Sequence, residues 1–245
     1  MKRFRISPLL FRQIHKWVGL ILGLQFVLWT LSGSVMALLD SEKVGGHSAA
    51  ASHGPTAAWP SNMVAPAQLL GSAPISGLSL TRIGSRPIYE VRRNGPALLF
   101  DAVTGTRIAV DAPLAGSVAA AMVSAPIKAV SLLPKANLES RDHKGAMWRV
   151  DFADEENSAA YVSADTGRLL VVRGDTWRTW DFFWMLHNMD YVSRKSFNHP
   201  LIIFVAFGTL WLSLTGFYLL FKSFRRREFR WVLGKPRPAP QPSMR

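Results

Sequence analysis

Residues 17–39 read WVGLILGLQFVLWTLSGSVMALL and residues 200–221 read PLIIFVAFGTLWLSLTGFYLLF; neither stretch holds a charged side chain. A helix rising about 1.5 Å per residue needs about 20 apolar residues to cross a hydrocarbon core of about 30 Å, and both runs reach that length. Core helices of globular domains are shorter, amphipathic and interrupted by charge. The two runs therefore predict transmembrane helices over 17–39 and 200–221, the second opened by Pro200 at the position where a helix tolerates proline best. The first is too long for the apolar region of a cleaved signal, and no small-x-small site follows it promptly, so it reads as an uncleaved anchor.

The location of the charge orients the chain. Residues 1–16 carry Lys2, Arg3, Arg5, Arg12 and Lys16 with no acid, a balance of +5. Residues 222–245 carry eight Lys and Arg against Glu228, a balance of +7, so the two ends hold nearly all of the net +13. Basic residues flanking short spans mark the cytoplasmic side. Both termini are thus expected in the cytoplasm, beside anionic lipid headgroups, with the residues between the spans exported. The basic ends need no nucleic-acid partner. There is no cysteine, which excludes disulfides, thioether-attached c-type haem and cysteine-ligated iron–sulfur clusters.

Between the spans, residues 40–65 are rich in Ala, Ser, Gly and Pro and read as a flexible linker. His47 and His53 fall there; two histidines without carboxylates make a poor metal site. Residues 66–176 repeat themselves. Ile88-Tyr89-Glu90-Val91-Arg92, then Ala97 to Asp101, then Thr104-Gly105-Thr106-Arg107 has a counterpart in Met147-Trp148-Arg149-Val150-Asp151, then Ala159 to Ser163, then Asp165-Thr166-Gly167-Arg168. Each copy predicts three short strands joined by turns, the last turn a Thr-Gly corner, after a helix near Ala65–Gly71 or Leu114–Val123. The fold class expected is α+β: two helix-plus-antiparallel-sheet units between two spans. Residues 177–199, with Trp177, Trp180, Phe182, Phe183 and Trp184, read as an interfacial aromatic segment, suited to a short helix lying in the membrane interface. Residues 222–245 form the basic tail.

No phosphate loop, dinucleotide glycine fingerprint, nucleophile elbow or zinc-protease histidine pair is present. What remains is histidine near the membrane boundary. His15 opens the first span, with Gly19 and Gly23 on the same helix face at i+4 and i+8. That pattern suits an axial haem ligand with room beside it, and equally an interfacial histidine above a small-xxx-small helix contact. His187 lies among the interfacial aromatics and His199 precedes Pro200; each is a candidate ligand or a satisfied interfacial side chain.

His15-Lys16-Trp17-Val18-Gly19-Leu20, then Thr30-Leu31-Ser32-Gly33, resembles the opening of PepSY-associated transmembrane proteins. Leu186-His187 and Leu214-Thr215-Gly216 are similar to that family's later elements, and the Thr-Gly corners at 101–105 and 164–167 resemble PepSY modules. The resemblance covers nearly the whole chain outside the linker and tail. It implies a protein of the bacterial inner membrane linked to iron acquisition, since larger members include ferric-siderophore reductases holding haem b through membrane histidines. His15 and His187 stand at opposite ends of the spans and cannot ligate one iron. Haem b held by His15 and His187 would then require a homodimer or a partner membrane subunit, with a quinol or a partner as donor and a ferric siderophore as a candidate acceptor. The competing reading is a membrane-anchored binding or regulatory module with structural histidines.

Overall fold

The computed structural model describes residues 8–46, 58–70, 74–192, 194, 196 and 198–223. His47, His53, residues 1–7 and residues 224–245 lie outside them. The chain divides into two units, one formed by residues up to Ser34 and from Phe183 onward, the other by Val35–Phe182.

In the first unit, helices α1 (Pro8–Leu38) and α6 (Pro200–Ser223) carry spans over Arg12–Leu38 and Pro200–Lys222. Helix α1 begins ahead of the apolar run, so Arg12 and Lys16 sit on its first turns. Its inner face follows a seven-residue spacing through His15, Leu22 and Trp29, and through Val18, Gln25 and Ser32, the register of a helix facing a partner. Leu22 and Val205 are buried with Met189, and Val18, Trp29, Ile202 and Leu212 pack around them. Small residues bring the helices together: a Cβ on Gly19 would stand 3.5 Å from Leu212, and one on Gly208 would stand 3.3 Å from Leu22. Leu20, Ile21, Leu24, Phe204, Phe207 and Phe221 point outward and are exposed, which hydrocarbon would cover.

Helix α5 (Asp175–Asn188) stops because Met189 takes φ 56°. A left-handed residue is the usual helix stop, normally glycine. Methionine is tolerated because its side chain is 4% exposed in the cluster with Leu22 and Val205.

The second unit holds two four-stranded antiparallel meanders. Strands β1 (Gly77–Ile83), β2 (Arg86–Arg92), β3 (Leu98–Asp101) and β4 (Arg107–Ile108) form the first sheet. Strands β5 (Ile127–Leu133), β6 (Met147–Phe152), β7 (Ala159–Ser163) and β8 (Leu169–Arg173) form the second. Helices α3 (Pro66–Leu70) and α4 (Ala112–Ala120) precede them where a helix was expected. Val91 and Val150, both fully buried, sit on the second strand of their sheets. The α+β class and internal duplication are those of the sequence. Each sheet has one more strand than expected, because β1 and β5 are edge strands and β5 in particular is largely exposed, so they lack a continuous apolar face.

The two Thr-Gly corners are equivalent. Gly105 (φ 73°) and Gly167 (φ 65°) adopt a conformation costly for other residues. A Cβ there would come within 2.9 Å of Leu69 and 2.6 Å of Ile83, respectively. The modules are joined by the buried Glu90 carboxylate, which accepts from Arg92 at 2.8 Å and from Arg168 at 2.5 Å, and by Trp148 Nε1 donating to Val110 O at 2.9 Å.

Of the linker and the aromatic segment, the first differs from expectation and the second forms the helix expected. The stretch read as a linker begins with a helical turn, α2 (Ser41–Gly45), capped by Asp40 and closed by Gly46 at φ 75°; Lys43 binds Glu156 at 2.8 Å. The aromatic segment is a helix whose Trp177 and Asp181 are buried. Trp177 underlies the guanidinium of Arg173 at 4.3 Å, so part of its aromatic character serves the second unit's packing.

Candidate functional site

The first unit carries two histidine nodes built to one plan, one at each end of α1. At the N-terminal end, His15 Nδ1 lies 2.7 Å from Thr215 Oγ1 of α6. The Thr215 hydroxyl also donates to Trp211 O, one turn back, at 2.9 Å. Gly216 follows, and a Cβ there would sit 3.7 Å from His15 Cε1. Trp211 is tilted against the imidazole, ring centroids 6.3 Å apart at 45°.

At the other end, His187 of α5 places Nδ1 3.0 Å from Ser32 Oγ of α1. The Ser32 hydroxyl donates to Leu28 O at 2.6 Å. Gly33 follows, and a Cβ there would sit 3.4 Å from His187 Cε1. Trp29 is tilted against this ring at 6.4 Å and 42°, and its indole N–H donates to His187 O at 2.7 Å.

The hydrogen-bond pattern assigns the tautomers. A hydroxyl has one proton, and in both nodes it is directed at a helix carbonyl one turn back, the habitual bond of Ser and Thr inside a helix. The oxygen must therefore accept from the imidazole. In a neutral ring this places the proton on Nδ1 and leaves the lone pair on Nε2. This is the state of a metal-ligating imidazole, whose second nitrogen is fixed by a hydrogen bond to an acceptor.

His199 has another role. Its Nε2 lies 2.7 Å from Asn188 O, and a carbonyl only accepts, so Nε2 is the protonated nitrogen. The ring ties the end of α5 to the start of α6, and His199 O accepts from Ile203 N at 3.3 Å in the first turn of α6.

His15, His187 and His199 thus all lie in the first unit, but they form no common cluster. Seventeen residues of α1 separate His15 from Ser32, about 25 Å of helix. Among the described residues, no group of three or more His, Cys, Asp or Glu could hold a metal ion. The glycines beside the rings are Gly216 and Gly33. Gly19 packs on Leu212, and a Cβ on Gly23 would meet nothing within 4 Å. Reading along one helix favoured His15-Gly19-Gly23; what the sequence offered instead was Trp-x-x-Ser-Gly at 29–33 and Trp-x-x-x-Thr-Gly at 211–216, one repeated element on two helices.

The family described as the PepSY-associated TM region matches residues 12–244. No curated protein and no solved structure matches the chain. The match spans nearly the full length, including both nodes, and the chain belongs to this family of membrane proteins.

Proposed function

We propose that this member of the PepSY-associated transmembrane family is a haem-b electron-transfer protein of the bacterial inner membrane, a ferric or ferric-siderophore reductase or a subunit of one. The observation that carries the reading is the pair of imidazoles, each with Nδ1 within hydrogen-bond distance of a helix hydroxyl and with Nε2 left for a second partner. These residues fit axial ligation: the donor nitrogen bears a lone pair, the ring is oriented by its hydroxyl, and a glycine lies against its edge. His15 and His187 would hold the iron, and haem b would supply a one-electron couple.

The chain's own residues do the rest. Thr215 and Ser32 fix the tautomers, Trp211 and Trp29 restrict ring rotation, and the apolar seam between the nodes limits water. The nodes cannot share an iron across about 25 Å of helix. A homodimer would pair His15 with His15 and His187 with His187 in a four-helix bundle. Arg12, Lys16 and Lys222 cluster at the His15 end of the helices, which favours a cytoplasmic placement of that end and of both termini. Electrons would then pass from a quinol or partner subunit to an acceptor on the periplasmic side.

The test is haem content per chain in detergent-extracted His15→Ala, His187→Ala and His199→Ala variants. The first two should each lose part of the haem, the His15/His187 double variant all of it, and His199→Ala none. A double variant with wild-type haem content would overturn the assignment. The second reading, a membrane-anchored binding or regulatory module, draws on a cleft in the second unit.

A further inference from the structure

That cleft, about 240 Å³, lies between the loop 139–143 and Leu170, Val171 and Arg173 of β8. Its charges are almost all matched. Arg141 is paired with the buried carboxylate of Asp181. Glu139 accepts from Arg178 at 2.7 Å and from the Tyr161 hydroxyl at 2.5 Å. Arg173 is the cation that is not matched. Its Nε donates to Glu139 O at 3.3 Å, while its terminal nitrogens have no partner and it joins no ion pair among the described residues.

The Arg173 guanidinium is half-buried and lies 4.3 Å above the Trp177 ring, which Arg141 also approaches at 5.6 Å. Burial, and then repulsion from Arg141, hold it below the usual arginine range. A second polar atom of the same cleft is unsatisfied: His143 Nε2 is buried without a partner. A buried polar atom in this state is costly, and a ligand that satisfies it recovers the cost. Asp142, also lining the cleft, is exposed at the rim and in no ion pair among the described residues.

We propose that this cleft binds an organic monocarboxylate, its two oxygens on the terminal nitrogens of Arg173 and its apolar body against Leu170 and Val171. A guanidinium end matches a carboxylate in a two-point bond. One unmatched cation accommodates one negative charge, and Asp142 and Glu139 at the walls disfavour a dianion. The proposal is independent of haem.

The experiment is a ligand-observed NMR titration of the full-length, detergent-solubilised protein with benzoate and with benzamide, its neutral isostere. Benzoate should saturate and benzamide should not. Arg173→Gln should weaken benzoate tenfold or more, in line with a charge-assisted bond of about 1.5–3 kcal/mol, and Arg173→Lys should fall between. Asp142→Asn, on the exposed rim and harmless to folding, should tighten binding about two- to threefold by removing a weak surface repulsion. Equal saturation by benzamide, no saturation by benzoate, or unchanged affinity in Arg173→Gln would overturn the site; so would weaker binding in Asp142→Asn.

Discussion

Replacing Thr215 with Val removes one oxygen from the His15 node and almost no volume. Thr215 is 8% exposed, so no bulk water stands ready to replace the hydroxyl as acceptor for Nδ1–H. The lost bond to Trp211 O costs little, because a mid-helix carbonyl already accepts from the backbone N–H four residues on. The stranded imidazole donor decides the outcome, at about 1–3 kcal/mol. At about 1.36 kcal/mol per decade, that is about 5- to 150-fold in any equilibrium that requires this ring orientation and tautomer. Supporting hydrogen bonds to metal ligands are worth a similar 10- to 100-fold or so. Two assays separate the steps. ¹⁵N NMR of histidine-labelled apoprotein should show His15 protonated at Nδ1 in the wild type and a mixture of tautomers in Thr215→Val, with Thr215→Ser restoring the first state. Haem transfer to a scavenger globin should be faster in Thr215→Val and rescued in Thr215→Ser. If His15 is protonated at Nε2 in the wild type, the tautomer assignment is wrong; if Thr215→Val retains both the tautomer and the haem, the hydroxyl does not position the ring.

Glu90 is 1% exposed, whereas Arg92 and Arg168 are half-exposed or more. Removing both cations therefore strands a buried carboxylate, at about 3–5 kcal/mol, whereas Glu90→Gln returns the cations to water and costs about 1 kcal/mol. Scanning fluorimetry should show a melting shift near 10 °C for the Arg92→Met/Arg168→Met double variant, at about 2–4 °C per kcal/mol, and only a few degrees for Glu90→Gln; equal shifts would refute the argument. The Tyr161 phenol, buried first and then hydrogen-bonded to Glu139, is pushed up to about 12. Because the folded value lies above the unfolded value of about 10, its stabilising contribution is full below pH 10 and lost as pH rises towards 12; alkaline melts should show that loss in the wild type and less of it in Tyr161→Phe. Gln25 Nε2 is buried without a partner in the seam between the spans, so Gln25→Met should raise the melting temperature, and a fall would mean that an unseen group satisfies the amide. Reporter fusions at Arg230 should behave as cytoplasmic and those near Asn94 as exported; activity of an exported-only reporter at the C-terminus would reverse the orientation.

The parts of the fold legible in the sequence were those with one dominant physical cause. Two charge-free runs of the right length became α1 and α6, and the Thr-Gly corners became paired left-handed turns where a side chain would strike Leu69 or Ile83. Strands β1 and β5 escaped notice because much of their surface faces solvent and carries little apolar signal. For the site, the histidines could be read but their partners could not. Helical spacing relates His15 only to residues on its own helix, whereas its hydroxyl and glycine come from a segment 200 residues away. Ser32-Gly33 and Thr215-Gly216 were visible as family motifs, and only the packing of α1 against His187 of α5 and against α6 gives them a chemical task. His199 and His187 look alike in sequence; the Asn188 carbonyl distinguishes them.

The central claim, that His15 and His187 are haem ligands, is tested most directly by the absorbance spectrum of wild-type protein extracted from membranes of cells supplied with iron and haem precursor. The account predicts a Soret band with a resolved α-band on dithionite reduction, the signature of six-coordinate bis-imidazole haem, both absent from the His15→Ala/His187→Ala variant. A wild type without either band, in protein that is folded and membrane-inserted, would contradict it.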